Sequence, residues 1–170
     1  MNNLELKARI SSVEAAVKTA ERLAGVCHAD IHQTDTYFKV HEGRLKLREY
    51  EDTAELIFYN RPDSRDPKYS TYYISEVSNP FVFNTVLGNN LGVKAIVKKR
   101  RRVFLLENTR IHIDEAEGLG DFLEFEVVFG EDTTPDGARK MVALLMDEFD
   151  IKDEDLVGRS YCDLLEGTEA

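Results

Sequence analysis

Residues 44–48 read Arg44-Leu45-Lys46-Leu47-Arg48, a stretch in which basic and apolar residues alternate without interruption. Successive side chains of a β-strand point to opposite faces, so the stretch is typical of a strand with one basic and one apolar face. Five other segments alternate similarly, and their polar faces offer Glu5 and Lys7; Glu55, Tyr59 and Arg61; Lys99 and Arg101, or Lys98, Arg100 and Arg102 in the other register; Arg110, His112 and Asp114; Glu124 and Glu126. The pattern predicts a sheet with one strongly charged face.

Turn and capping residues divide the chain into further elements. Strands are predicted over residues 3–10, 31–40, 44–50, 55–61, 70–77, 93–106, 109–115 and 122–129. A capping box of Ser11 and Glu14 predicts the start of a first helix, which Gly25 ends. A second helix starts at Asn79-Pro80, and its apolar stripe is Phe83, Val86, Leu87 and Leu91. A third helix covers 135–149, and a short one covers 160–165. The chain is therefore interpreted as one α+β domain over residues 1–170, with about eight mostly antiparallel strands.

Composition bounds the function. The chain has 170 residues, of which 42 % are hydrophobic and 32 % charged, which is typical of a single globular domain. The formal net charge of −10 argues against nucleic acid as a partner. The basic run Lys98 to Arg102 does not change this, because a strand divides its side chains between two faces.

The sequence also gives expectations about the compartment. No stretch approaches the ~20 apolar residues of a membrane span, and residues 1–10 are too charged for a signal peptide. We therefore expect a cytoplasmic protein with no membrane partner. Cys27 and Cys162 lack metal-like spacing and are expected to be free thiols.

The charged faces admit two interpretations. A polar face of an antiparallel sheet is ordinarily solvated. However, like charges two positions apart on a strand repel unless something of opposite sign binds between them. The three apolar helix stripes also need one sheet face to cover. If the sheet curls shut, the charged face lines its interior, where arginines and lysines would grip a polyanion and carboxylates would hold Mg²⁺ or Mn²⁺. No glycine-rich phosphate loop is present, which excludes a P-loop enzyme.

Several motifs resemble one family. Asn3-Leu4-Glu5-Leu6-Lys7 resembles the ExExK signature of the CYTH, or triphosphate tunnel metalloenzyme, family, which includes class IV adenylyl cyclases and thiamine triphosphatase-like proteins. The same resemblance extends in chain order through Gln33 to Phe38, Gly43 to Arg48, Tyr59 to Pro62, Val97 to Arg101, Arg110 to Asp114, Gly118 to Glu126 and Ser160-Tyr161.

The resemblance implies a closed antiparallel eight-stranded β-barrel, or tunnel, with helices packed on the outside. It implies a divalent cofactor, Mg²⁺ or Mn²⁺, held by Glu5, Asp114, Glu124 and Glu126. The implied triphosphate contacts are Lys7, Arg44, Lys46, Arg61, Lys99, Arg101 and Arg110, and Arg48 joins them by alternation. Lys7 and His112 are the candidate catalytic residues, and Lys99 and Arg101 are expected to face inward.

One residue departs from the signature, and three functions stay open. Asn3 stands where the first glutamate is expected, which removes one negative charge from the implied metal site. The first hypothesis is hydrolysis of tripolyphosphate, thiamine triphosphate or ATP. The second is cyclisation of ATP to cyclic AMP and pyrophosphate, and the third is a triphosphate-binding module with weakened catalysis. The chain is expected to be a monomer or a homodimer.

Overall fold

The computed structural model describes residues 2–60 and 62–167, and eight antiparallel strands in this part of the chain close into a barrel. The strands are β1 (Asn2–Arg9), β2 (Ala29–Phe38), β3 (Arg44–Glu49), β4 (Ala54–Asn60), β5 (Lys68–Glu76), β6 (Val93–Leu106), β7 (Thr109–Ala116) and β8 (Gly120–Val128). The helices are α1 (Val13–Ala24), α2 (Pro80–Leu91), α3 (Pro135–Glu148) and α4 (Tyr161–Glu166). Around the barrel the order is β1-β5-β4-β3-β2-β6-β7-β8. The predicted closed barrel with outer helices is confirmed.

The alternation within each strand decides which side chains lie inside the barrel. In β1 the inner residues are Asn3, Glu5 and Lys7, and all three are buried although they are polar. The intervening Leu4 and Leu6 are each only 1 % exposed, because they pack outward in the main apolar core. Both faces of β1 are therefore buried, one polar and the other apolar.

The main apolar core lies between the barrel wall and two helices. Helix α1 contributes Ala16 and Ala20, and α3 contributes Val142 and Leu145, which pack on apolar residues of β1, β7 and β8. Burying a side chain of the size of valine, leucine or phenylalanine stabilises the fold by about 1.5–3 kcal/mol. This core therefore stabilises the charged half of the barrel, which is formed by β1, β7 and β8.

The turn before β3 depends on a glycine. Gly43 has a φ of 65°, and a Cβ atom there would lie 2.8 Å from the ring of Phe58. No L-residue fits this close approach without moving the neighbouring strand. The turn sets the register in which Arg44 lies opposite Tyr59, and thus which residues of β3 face inward.

Two details of the helices correct the sequence analysis. The N-cap of α1 is Ser12, whose side chain accepts a hydrogen bond from the amide of Ala15, so the predicted Ser11–Glu14 capping box does not start the helix. Ser12 has the extended backbone that an N-cap residue requires. The apolar stripe of α2 is also not buried as predicted, because only Leu87 of the helix packs against a core cluster.

Two expectations about the compartment can be compared with the structure. Cys27 and Cys162 are free thiols, as predicted, with Cys27 exposed and Cys162 buried. Among the described residues, no helix combines the length and the hydropathy that a membrane crossing needs.

Candidate active site

The barrel encloses a cavity of about 280 Å³. Each of the eight strands contributes at least one side chain to its wall, and Ser160 and Tyr161 at the start of α4 contribute two more. The acidic, basic and histidine side chains in the wall are Glu5, Lys7, Lys46, Arg48, Lys99, Arg101, Arg110, His112, Glu124 and Glu126. The charged sheet face is therefore the inner face, and six of these ten groups are lysine or arginine.

One set of cations surrounds Asp35 on β2. Its carboxylate accepts hydrogen bonds from Lys46 Nζ at 2.8 Å, from Arg48 Nε at 2.7 Å and from Arg48 Nη2 at 2.8 Å. Gln33 Nε2 donates a longer one at 3.3 Å. Burial disfavours the ionised carboxylate, but Arg48 and Lys46 outweigh it and hold the pKa of Asp35 well below its ordinary value. Asp35 therefore serves as an internal counter-ion for the cations of β3.

A second set of cations surrounds Asp114 on β7. Asp114 accepts from Lys99 Nζ at 2.8 Å and from Arg101 Nε and Nη2, each at 2.6 Å. The hydroxyl of Tyr161 donates to the same carboxylate at 2.7 Å. Burial again opposes ionisation, yet Arg101 and Lys99 keep the pKa of Asp114 far below its ordinary value. The carboxylate is 0 % exposed and fully engaged with its three neighbours.

Tyr161 connects this second set to β1. Its ring lies 4.0 Å from Lys7 Nζ and 4.5 Å from Lys99 Nζ, measured to the ring centroid. Helix α4 is set in place by Ser160, whose hydroxyl accepts from the amide of Asp163 and donates to its carboxylate. The helix thus positions one aromatic ring against two ammonium groups of the cavity wall.

Two of the buried lysines, Lys46 and Lys99, have unusual acid–base properties. Burial, followed by repulsion from Arg48, lowers the pKa of Lys46 to about 7. Burial, followed by repulsion from Arg101, lowers the pKa of Lys99 to about 8. The positive charge of the wall therefore depends on pH in the neutral range, and a polyanion in the cavity would favour the protonated forms.

Next to the second set of cations, on β7 and β8, lies a group of possible metal ligands. One ligand atom each of His112, Glu124 and Glu126 lies within 4.8 Å of the other two. Glu5 on β1 pairs with Glu126 across the strand boundary. Asn3 precedes Glu5 on the same face, and its buried Oδ1 has no hydrogen-bond partner in the structure. Two carboxylates, an imidazole and a spare amide oxygen are a donor set that fits a divalent cation such as Mn²⁺.

A model of the CYTH domain matches residues 1–161. The chain belongs to the CYTH family. No protein of curated function matches the sequence.

Solved structures with this fold are similar over almost the whole chain. The PH1012 protein from Pyrococcus horikoshii OT3 has a TM-score of 0.85 at 24 % identity, covering 95 % of this chain and 98 % of its own. A Pyrococcus furiosus protein has a TM-score of 0.83 at 23 % identity, with 95 % and 99 % covered. The HpAC1 protein from Hippeastrum, named an adenylyl cyclase with a dominant triphosphatase activity, has a TM-score of 0.71 at 17 % identity, with 98 % and 96 % covered. At these identities the likeness shows the fold alone.

The CYTH barrel brings most of the expected phosphate contacts together. Lys7, Lys46, Arg48, Lys99, Arg101 and Arg110 all line the cavity, and Lys98 and Arg100 point outward. Arg44 is not part of the cavity wall, because its guanidinium binds Asp63 and Asp163, each at 2.7 Å. Arg61 lies outside the described residues.

The expected metal ligands of the CYTH domain divide into two environments. Glu5, Glu124 and Glu126 line the cavity, whereas Asp114 is engaged by Lys99, Arg101 and Tyr161. Arg101 connects the two environments, because its Nη2 also donates to Glu124 at 2.7 Å.

Two residues of the site received no role in the sequence analysis. Asp35 and Tyr161 both lie in stretches that carry the family resemblance, but neither the type nor the spacing of these residues indicates which cations they contact. Asp35 lies two positions after Gln33 on β2, so the alternation of the strand places both side chains on the inner face. That alternation could have indicated that Asp35 belongs to the site. Tyr161 is 47 positions away from Asp114 in the chain, and nothing in the order of residues indicates their hydrogen bond.

Proposed function

We propose that this CYTH protein is a metal-dependent triphosphatase that hydrolyses tripolyphosphate or an organic triphosphate inside its barrel. One observation carries the proposal: the cavity inside the closed barrel has six cationic side chains in its wall and a His–Glu–Glu group in the same wall. Cations of this kind match a polyanion, and oxygen ligands match the divalent ion that usually accompanies phosphates.

Phosphate contacts are assigned to the side chains of the cavity wall. Lys46 and Arg48 hold one end of the triphosphate, and Lys99 and Arg101 hold the other, while Asp35 and Asp114 keep each pair in position. Arg110, 43 % exposed in its side chain, adds a contact at the cavity edge. Buried donors fixed in advance stabilise charge on a phosphoryl group without reorganising during the reaction.

The metal-ligand assignment rests on Glu5, Glu124 and Glu126, with the Asn3 amide oxygen as a neutral addition. When bound, the divalent ion would neutralise phosphate charge and make a bound water more acidic. Asp114, whose oxygens already accept from two cations and a phenol, takes the part of a counter-ion in this proposal.

The remaining chemistry is proton transfer. Water forms a bond to the terminal phosphorus, the bond from that phosphorus to the bridging oxygen breaks, and orthophosphate and diphosphate result. His112, whose Nδ1 lies 3.5 Å from Glu124 Oε2, is the proposed acceptor of the water proton. Lys7, whose Nζ lies 3.9 Å from Glu124 Oε1, is the proposed donor to the departing oxygen.

A second candidate is cyclisation of ATP to cyclic AMP and pyrophosphate. The observation that favours it is the apolar part of the cavity wall, where Ile57, Ile74, Tyr59 and Tyr72 lie near the cationic residues. Such a surface accommodates an organic group beside the phosphates, which tripolyphosphate does not need. Structural neighbours include a Vibrio parahaemolyticus protein described as an adenylate cyclase, with a TM-score of 0.77 at 19 % identity over 96 % of this chain and 97 % of its own.

The test is to incubate the purified protein with tripolyphosphate, thiamine triphosphate or ATP, with Mg²⁺ or Mn²⁺, and to resolve the products by phosphorus NMR. Orthophosphate release supports the triphosphatase, and pyrophosphate with cyclic AMP supports the cyclase. Metal-dependent binding without turnover would leave a triphosphate-binding module. If no triphosphate binds or reacts, the proposed function fails.

A further inference from the structure

Helix α4 packs on one end of the barrel. The amide of Val157 donates to the carbonyl of Lys7 on β1, which fixes the segment before α4 on the barrel wall. Tyr161 and Cys162 at the start of the helix are buried in a small apolar core, and Cys162 is 0 % exposed. The neighbours in this core come from strand ends that meet there, and they include Tyr37, Tyr59, Ala116 and Phe122.

Arg44 lies beside the cavity but is bound to carboxylates outside it. Alternation along β3 gives Arg44 the same inward parity as Lys46. Arg44 Cζ and Lys46 Nζ lie 5.8 Å and 5.7 Å from the ring centroid of Tyr59, a residue of the cavity wall. Arg44 Nη2 nevertheless donates to Asp163 Oδ2 and to Asp63 Oδ1, each at 2.7 Å. A carboxylate of α4 therefore holds one cation of the charged row at the cavity edge.

Lys94 is a second cation at the same carboxylate. Tyr37 on β2 lies opposite Ala95, and the next residue of β2 lies opposite the residue two positions before Ala95. Lys94 is thus the extra residue of a β-bulge, which re-aims its side chain. Its Nζ reaches Asp163 Oδ1 at 3.1 Å, and it also pairs with the half-exposed Glu166 at 3.3 Å. Asp163 therefore has one arginine and one lysine as partners.

Asp163 repeats the arrangement of the two counter-ions inside the barrel, since Asp35 and Asp114 also each bind one arginine and one lysine. The difference lies in how the carboxylates are attached. Asp35 and Asp114 belong to barrel strands and are 1 % and 0 % exposed. Asp163 belongs to a helix of six residues, and its side chain is 14 % exposed. A short helix near the end of the chain opens at lower cost than a strand inside a closed sheet, so Asp163 can leave its cations more readily.

The charge of the cavity favours the release of these cations when a triphosphate binds. Among the described residues, the six basic side chains of the wall are opposed by its three glutamates and by Asp35 and Asp114, which leaves one positive charge in excess. A triphosphate carries roughly −4 to −5, because each end phosphate carries up to two charges and the internal one carries a single charge. One divalent ion neutralises only part of the remainder. Arg44 and Lys94 would supply two further positive charges.

Resting on the function proposed above, we propose that Asp163 is an internal competitor of the substrate. In the empty protein Asp163 holds Arg44 and Lys94, and the triphosphate takes these cations from it. Because binding then removes ion pairs that fasten α4 to the barrel, the helix becomes looser as the cavity fills. The competing carboxylate also lowers the affinity for substrate, since part of the binding free energy is spent on displacing it.

The first test is calorimetric titration with tripolyphosphate in the absence of divalent metal, so that hydrolysis does not interfere. Asp163→Asn keeps an oxygen that can accept from Ser160 but removes the charge, and it should tighten binding roughly tenfold. Asp150→Asn removes a surface acid whose side chain is 85 % exposed, and this control should bind as the wild type does. In an Arg44→Gln background most of the gain from Asp163→Asn should disappear, because a freed cation is missing.

The second test uses Cys162 as a reporter of α4. The chain has two cysteines, so Cys162 is the remaining thiol once Cys27→Ser has been introduced. Since Cys162 is 0 % exposed, its reaction with a thiol reagent requires the helix to open. Saturating tripolyphosphate should accelerate this reaction several-fold, and Asp163→Asn should accelerate it without ligand. A ligand that merely stiffens the protein would slow the reaction instead.

The outcomes separate this inference from the function on which it rests. Equal tripolyphosphate affinity of Asp163→Asn and the wild type would overturn the inference and leave the proposed function intact. An equal gain in Asp150→Asn would reduce the effect to net charge and overturn it as well. So would slower modification of Cys162 in the ligand-bound protein, a measurement that needs no change at Asp163. If neither the wild type nor Asp163→Asn binds tripolyphosphate, the proposed function fails and the inference falls with it.

Discussion

The phenolic hydroxyl of Tyr161 donates a hydrogen bond to Oδ2 of Asp114 over 2.7 Å, at a point where Asp114 is completely buried. The bond joins the last helix to the inside of the barrel. Because Lys99 and Arg101 donate to the same carboxylate, Tyr161 helps to fix the cations that we assign to phosphate binding.

Removal of this hydroxyl should cost stability. Tyr161→Phe deprives a buried, ionised carboxylate of one donor, so we expect the free energy of unfolding to fall by about 1.5–3 kcal/mol in urea denaturation. The matched control is Tyr69→Phe, since Tyr69 is 45 % exposed. An equal loss of unfolding free energy in both variants would show that the hydrogen bond to Asp114 does not stabilise the fold.

Asp35 should contribute more to the stability of the empty protein than to the stability of the ligand-bound protein. Asp35→Asn leaves Lys46 and Arg48 as buried cations without their carboxylate, which should cost about 3–5 kcal/mol of stability. Tripolyphosphate would replace the lost charge, so its effect on the melting temperature should be larger in the variant than in the wild type. Asp30→Asn removes an exposed partner of Arg100 and is the control. If tripolyphosphate stabilises Asp35→Asn no more than the wild type, the cavity cations do not bind it.

The buried lysines predict a pH dependence of stability. Folding lowers the pKa of Lys46 from 10.5 to about 7, so between these values the unfolded chain binds more protons than the folded chain. Stability of the empty protein should therefore rise with pH across this window, as far as Lys46 contributes. Lys46→Met should flatten the curve, whereas the exposed Lys98→Met should not. The same lowered pKa predicts proton uptake at pH 8 when tripolyphosphate binds, measurable by calorimetry in two buffers of different ionisation enthalpy.

The metal site should respond in opposite directions to two substitutions. Asn3→Glu adds a carboxylate where a buried amide oxygen lacks a partner, and should tighten Mn²⁺ binding by about tenfold. Glu126→Gln removes a charge from the His–Glu–Glu group and should weaken Mn²⁺ binding by a similar factor. Electron paramagnetic resonance of Mn²⁺ without substrate measures both. Unchanged titrations would place the metal elsewhere.

His112 has two possible parts in the reaction, and one variant separates them. As the acceptor of the water proton, His112→Asn should lower kcat by about 10²–10⁴-fold with little change in Mn²⁺ affinity. Substitution of a metal ligand would instead weaken Mn²⁺ binding before substrate is added. A kcat within a factor of a few of the wild type would remove His112 from catalysis.

Much of the fold could be predicted from local pattern. The period of two in stretches such as 44–48 fixes which side chains share a face, because a strand has no other way to place them. Capping and turn residues such as Asn79 and Gly25 bound the helices for equally local reasons. The mistaken N-cap at Ser11 shows the limit of this reasoning, since adjacent serines satisfy the same pattern and only the backbone angles separate them.

By itself, then, the sequence determined the charged faces, the order of the elements and the family to which the chain belongs. Only the tertiary structure decided which charges meet. Closure of the barrel places β2 between β3 and β6. Lys46 and Arg48 therefore donate hydrogen bonds to Asp35. The tertiary structure likewise decides that Tyr161 binds Asp114, that Arg44 binds Asp163 and that α2 is exposed. Each depends on distances between segments far apart in the chain, and residue spacing carries no information about those distances.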